Sequence, residues 1–167
     1  MKYKENIEQV ADLKPDYMGF IFYSASKRNV SDEFLIPDIS PEISKVGVFV
    51  NANADFIIDK ISTYNLHCIQ LHGAEPPFFC RQMKRITCII KAFGIDEQFD
   101  FSKLKEYEDC CDYFLFDTKT SDHGGSGKQF NWDLLNRYTF NLPFFLSGGL
   151  DLEAAKKMKE MKVKYPL

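Results

Sequence analysis

Six short runs rich in β-branched and aromatic residues recur along the chain, at residues 18–22, 46–50, 68–71, 87–92, 113–116 and 144–146. They are continuous apolar runs rather than strict alternations, the pattern of a parallel strand covered on both faces. Between them lie segments with helical spacing: Ile57, Ile61 and Tyr64; Phe79 and Met83; Leu135 and Tyr138; Leu152, Ala155 and Met158. Each lays one apolar stripe against a sheet. An earlier segment places Ile7, Val10 and Ala11 on one face before Pro15-Asp16 breaks the pattern, so the chain opens on a helix. Strands alternating with helices, through connections too long for hairpins, require right-handed βαβ crossovers and a parallel sheet. The sheet is then either open and doubly wound or closed into a barrel. A chain that opens on a helix, runs through six strand and helix pairs and ends in a stub at 163–167 fits an eight-stranded barrel with one strand before Met1 and one after Leu167. The expectation is an α/β fold, an incomplete TIM (β/α)8 barrel, forming a single domain over residues 1–167 that is truncated at both ends.

Composition narrows the function. With 45% hydrophobic and 27% charged residues the chain is an ordinary globular sequence. Its net charge of -3, pI near 5.6 and scattered basic residues give no electrostatic footprint for nucleic acid. No apolar run approaches the roughly 20 residues that span a bilayer, and the first residues lack the apolar stretch of a signal peptide. The expected location is cytoplasmic, with no nucleic-acid or membrane partner. The five cysteines, Cys68, Cys80, Cys88, Cys110 and Cys111, form no C-x-x-C pair and read as reduced thiols. The three histidines, His67, His72 and His123, form no H-E-x-x-H site, and no G-x-S-x-G elbow occurs. The glycine-rich stretch Gly124-Gly125-Ser126-Gly127-Lys128 fails as a phosphate loop of the Walker type, which needs glycine where Asp122 stands and Ser or Thr where Gln129 stands.

Several blocks carry a more specific signal. They are Met18-Gly19-Phe20-Ile21-Phe22 with Ser26-Lys27-Arg28-Asn29-Val30; Lys45-Val46-Gly47-Val48-Phe49-Val50-Asn51; Ile69-Gln70-Leu71-His72-Gly73-Ala74-Glu75; Phe116-Asp117-Thr118 with Gly124 through Trp132; and Leu146-Ser147-Gly148-Gly149-Leu150. In order and spacing they resemble the signature blocks of phosphoribosylanthranilate isomerases, and the resemblance extends from Met1 to about Met161, matching the second through seventh strands of that family's barrel. The resemblance implies an Amadori rearrangement of N-(5'-phosphoribosyl)anthranilate to the corresponding 1-deoxyribulose 5-phosphate, a small phosphorylated substrate and no cofactor. The family's first strand, which ends in a Cys-Gly pair, and its eighth, with a phosphate-binding loop, have no counterpart in the sequence.

The reaction needs an acid to open the furanose ring and a base to remove the C2 proton. Asp117 matches the family's general acid; an aspartate after a strand also commonly caps a turn. The family's base is the cysteine of the first strand, and none of the five cysteines falls there, so little or no turnover is expected from this chain alone. Arg28 matches the arginine that binds the anthranilate carboxylate, a task suited to a guanidinium fork; on residue type alone it reads as a solvated loop arginine. Gln70 and His72 share one face by alternation, where His72 either lines the pocket or is satisfied by backbone. Gly148 and Gly149 match a phosphate-approach turn or form a tight turn only. Gly125 belongs to the family's mobile active-site loop. Two other readings stand beside this one: a non-catalytic barrel remnant that binds a phosphorylated ligand, and a related barrel such as indoleglycerol phosphate synthase, whose lysine and acidic pattern is not found. Unpaired barrel edges would favour self-association.

Overall fold

The apolar runs become strands, and each strand pairs with the next in sequence. The computed structural model describes residues 1–30, 34–119 and 130–151. Its strands are β1 (Tyr17–Ile21), β2 (Ser44–Phe49), β3 (Cys68–Leu71), β4 (Cys88–Ile95), β5 (Tyr113–Thr118) and β6 (Phe144–Leu146), in the order β1-β2-β3-β4-β5-β6 with every pair parallel. This is the strand set expected from the sequence. β4 and β5 run past their expected ends at 92 and 116, because Phe93, Gly94 and Ile95 continue the ladder opposite Phe116, Asp117 and Thr118.

The sheet is strongly curled. Across a flat sheet, β1 and β6 would stand about 24 Å apart, five spacings of about 4.8 Å. Yet the rings of Tyr17 on β1 and Phe145 on β6 meet edge to face at 5.2 Å between centroids, and Tyr113 on β5 lies 5.3 Å from Phe145. Side chains of the first and last strands therefore touch across a common interior. Alternation assigns the faces. Val46, Cys68 and Ile90 point inward with these aromatic rings, whereas Phe20, Phe49, Ile69, Leu71, Ile89, Phe114, Phe116 and Phe144 point outward into the main core.

Helices cover that outer face. α1 (Lys4–Ala11) buries Ile7, and α2 (Ala54–Tyr64) buries Ile57 and Tyr64. The Asn53 side chain caps α2 by accepting from the Phe56 N–H at 2.8 Å, and left-handed Asn65 ends it. α3 (Pro77–Lys84) starts on a proline, whose missing N–H costs nothing in a first turn, and buries Cys80 and Met83. Two further segments, Phe101–Cys110 and Trp132–Arg137, wind as 3-10 rather than α-helix. The spacing explains it: Phe101, Leu104, Tyr107 and Cys110 recur every three residues, as do Trp132, Leu135 and Tyr138, and a three-residue turn stacks each set on one side.

The alternation of strand and helix is less regular than the sequence suggested. No helix occurs among the described residues between β1 and β2. Pro37 and Pro41 interrupt that crossover, and each disfavours helix at the residue before it. The segment holding Leu152, Ala155 and Met158, and the stub at 163–167, lie outside the described residues. Among those described, no helix is long and apolar enough to cross a membrane.

Candidate active site

The C-terminal ends of the strands, where barrel folds carry their chemistry, bring three of the expected residues together. Asp117 is the fifth residue of β5, opposite Gly94, and is 7% exposed. One carboxylate oxygen, Oδ1, accepts from the Thr118 N–H at 2.9 Å. The other, Oδ2, faces His72 Nε2 at 3.7 Å. That gap is too long for a direct hydrogen bond and leaves Oδ2 available on the interior side. Gln70, on the inner face of β3, donates from its amide nitrogen to His72 Nδ1 at 2.9 Å. An imidazole accepting at Nδ1 carries its proton on Nε2 when neutral, so the Nε2–H is aimed at Asp117.

A buried ion pair that the sequence reading did not single out lies directly behind His72. Lys91, on the outer face of β4 and in register with Leu71, places its ammonium 3.1 Å from Glu75 Oε2, and both side chains are almost fully buried. The ammonium also donates to the carbonyls of Leu71 at 3.0 Å, Gly73 at 2.8 Å and Ala92 at 3.1 Å. Glu75 in turn accepts from the Gly73 N–H at 2.9 Å and the Asn51 N–H at 2.8 Å, while Asn51 Oδ1 accepts from the Ala74 N–H at 2.7 Å. These bonds lock the loop after β3 to the end of β2. Gly73 is required there, since an added Cβ would lie 2.4 Å from Asn51 Oδ1 and 2.7 Å from Asn51 N. The signal in the sequence was a lone lysine inside the apolar run Cys88-Ile89-Ile90-Lys91-Ala92-Phe93; a charge there has to find a buried partner.

Tyr107 extends this cluster by donating to the Glu75 carbonyl at 3.1 Å. Burial, followed by the neighbouring Cys80, pushes its phenol up to about 12. Because the folded value lies above the unfolded one of about 10, the stability it contributes is complete below pH ~10 and is lost as pH rises from there through about 12. A phenolate absorbance titration should show late ionisation shared by Tyr107, Tyr17 and Tyr138, whose phenols are all pushed up, and Tyr107→Phe should remove one tyrosine's share of that late step.

The other expected residues are placed as follows. Gly148 and Gly149 follow β6 with left-handed φ values of 90° and 62°, a turn that side-chain-bearing residues resist, beside the end of β5. Arg28 is exposed on a separate loop after β1, where its backbone N–H donates to Ser26 Oγ at 3.2 Å. Gly125, with the rest of the glycine-rich stretch, lies outside the described residues. All five cysteines are free. Cys68 and Cys88 begin β3 and β4 at the opposite end of the sheet: Cys88 is six residues before Gly94, the partner of Asp117, or about 20 Å at ~3.3 Å per residue. Cys80 sits on α3, and Cys110 and Cys111 are buried just before β5. A cavity of about 460 Å³ lined by Phe34, Ile36, Ile39, Lys45, Tyr64 and Asn65 also lies at that opposite end, away from Asp117.

A family model described as N-(5'phosphoribosyl)anthranilate (PRA) isomerase matches residues 1–164. The chain belongs to the phosphoribosylanthranilate isomerase family. Among relatives in this family, the N-(5'-phosphoribosyl)anthranilate isomerase of Parabacteroides distasonis is 45% identical over 169 residues, covering 97% of this chain and 76% of its own length. The crystal structure of phosphoribosyl anthranilate isomerase from Thermotoga maritima superposes with a TM-score of 0.79 at 33% identity, over 96% of this chain and 79% of that one. A phosphoribosyl anthranilate isomerase solved in complex with reduced 1-(o-carboxyphenylamino)-1-deoxyribulose 5-phosphate gives a TM-score of 0.73 at 30% identity, over 92% and 75% of the two chains. The curled parallel sheet is thus the barrel sheet of phosphoribosylanthranilate isomerases, with six of its strands described here.

Proposed function

We propose that residues 1–167 act as one (β/α) barrel domain that binds N-(5'-phosphoribosyl)anthranilate at the C-terminal end of its sheet, for the isomerisation to 1-(2-carboxyphenylamino)-1-deoxyribulose 5-phosphate in tryptophan biosynthesis. The observation that carries this reading is Asp117, nine-tenths buried, with one oxygen held by backbone and the other facing the Nε2–H side of His72. Asp117 delivers a proton to the furanose ring oxygen, the ring opens to an imine, and removal of the C2 proton gives an enolamine that tautomerises to the ketone. His72, oriented by Gln70, lines the site beside Asp117. The open backbone at Gly148 and Gly149 receives the phosphate, Arg28 receives the anthranilate carboxylate, and Gly125 belongs to the loop that closes over substrate.

The general base that the family resemblance implies is a first-strand cysteine, and none of the five cysteines falls at that position, so these 167 residues alone are expected to turn over slowly if at all; loss of a general base costs about 10²- to 10⁴-fold. Among the described residues, β1 and β6 each have a neighbouring strand on one side only, and such edges favour self-association.

Ligand binding tests the site independently of turnover. Titration with reduced 1-(o-carboxyphenylamino)-1-deoxyribulose 5-phosphate, followed by amide NMR shifts, is expected to move Thr118, His72, Gly148 and Gly149 saturably. Shifts confined to the cavity around Phe34 and Tyr64, or none at all, would contradict the assignment. Saturable binding at these residues without turnover, even after a Cys-Gly strand is supplied, would favour a binding protein that does no chemistry.

A further inference from the structure

We propose that Lys91 is a positioning residue for His72: its buried ammonium fixes the peptide carbonyls on both sides of the imidazole and so sets the line from Nε2 to Asp117. This rests on the reading above that His72 lines the substrate site. Lys91 itself does not reach the interior, because it projects from the outer face of β4, where its ammonium lies 5.3 Å from the Phe93 ring centroid. Its influence passes through the backbone. The Leu71 carbonyl precedes His72 and the Gly73 carbonyl follows it, and one ammonium binds both, at 3.0 and 2.8 Å. The His72 N–H donates to the Phe49 carbonyl at 2.8 Å, and the Gly73 N–H is taken by Glu75 at 2.9 Å.

The peptide groups on either side of the imidazole are therefore held from three directions: by β2 through Phe49, by β4 through Lys91, and by the loop's own Glu75. With the backbone fixed, the contact from Gln70 to Nδ1 selects the ring orientation and tautomer. An apolar core under this loop would pack as well but would leave the Leu71 and Gly73 carbonyls without this donor, their peptides held only through the His72 and Ala74 N–H groups. A lysine supplies three donors at one point, shared here among four acceptors, the Leu71, Gly73 and Ala92 carbonyls and Glu75 Oε2, and so joins two carbonyls of one loop to a carboxylate that binds the same loop's amide.

The test is the double variant Lys91→Met/Glu75→Gln, which removes both charges together and leaves no unpaired buried ion. The readout is the ring-nitrogen spectrum of His72, assigned with His72→Asn and recorded at a pH where the ring is neutral. In the unaltered protein His72 is expected to show the two widely separated ring-nitrogen signals of a single Nε2–H tautomer. In a folded double variant the separation is expected to shrink as the tautomers mix. A folded double variant with unchanged His72 signals would overturn the proposal and leave Lys91 a packing residue only. If the double variant does not fold, the unaltered protein decides: a slowly exchanging Lys91 ammonium signal at neutral pH is expected, and its absence would overturn the proposal. Failure of the isomerase reading is separable, because the product analogue would then leave His72 unmoved while the ring still responded to Lys91.

Discussion

Replacing Lys91 alone by Met is expected to destabilise the fold by roughly 3–5 kcal/mol, the usual cost of removing one partner of a buried ion pair. The substitution leaves the Glu75 carboxylate, 3% exposed, without a cation. It also strips the Leu71, Gly73 and Ala92 carbonyls of the donor that now satisfies them. Methionine fills much of the volume, so the loss is electrostatic rather than a cavity effect. In a chain of this size each kcal/mol moves the melting temperature by about 2–4 °C, so Tm should fall by roughly 6–20 °C. Adding Glu75→Gln should recover the part of that loss due to the uncompensated charge, leaving only the smaller cost of the Leu71, Gly73 and Ala92 carbonyls that lose a donor. Thermal melts of the two single variants and the double variant would check this. Additive losses in the double variant would show that the two groups act independently and that the pair is not the unit holding the loop.

The second large effect is expected on catalysis. In the chain extended by an N-terminal strand ending in Cys-Gly, Asp117→Asn should lower kcat by about 10²- to 10⁴-fold, the usual contribution of a positioned acid or base. The amide preserves shape and can still accept from the Thr118 N–H, so the melting temperature and the affinity for the product analogue should change little. A loss confined to KM would mean that Asp117 only binds substrate, since a group acting in the transition state lowers kcat.

What could be read from sequence followed local patterns. The six strands were legible because each is a short apolar run with turn residues on either side, and Gln70 and His72 could be placed on one face because a strand alternates strictly. Helix type was less legible. The positions of Leu135 and Tyr138 fit a helical spacing, but with Trp132 they also fit a period of three, and the structure takes the 3-10 form. That no helix forms among the described residues between β1 and β2 was signalled by Pro37 and Pro41 within a segment otherwise read as a crossover. The link between Lys91 and Glu75 was hidden for a different reason. It depends on the register of β3 against β4, which places Leu71 opposite Lys91, and no local pattern carries register. The approach of Asp117 to His72 likewise depends on the ladder from β3 through β4 to β5 and on the curl of the whole sheet. Arg28 was placed by its residue type and its loop after β1, where the structure shows it exposed.

The most direct test of the account is isomerase turnover, followed as loss of the anthranilate-type fluorescence of phosphoribosylanthranilate, on the 167-residue chain and on the same chain carrying an N-terminal strand that ends in Cys-Gly. Little or no turnover is expected from the first, and turnover that Asp117→Asn abolishes is expected from the second. Rapid turnover by the 167 residues alone, lost on Asp117→Asn, would show that another group of this chain serves as the base and would contradict the assignment of that role to a first-strand cysteine.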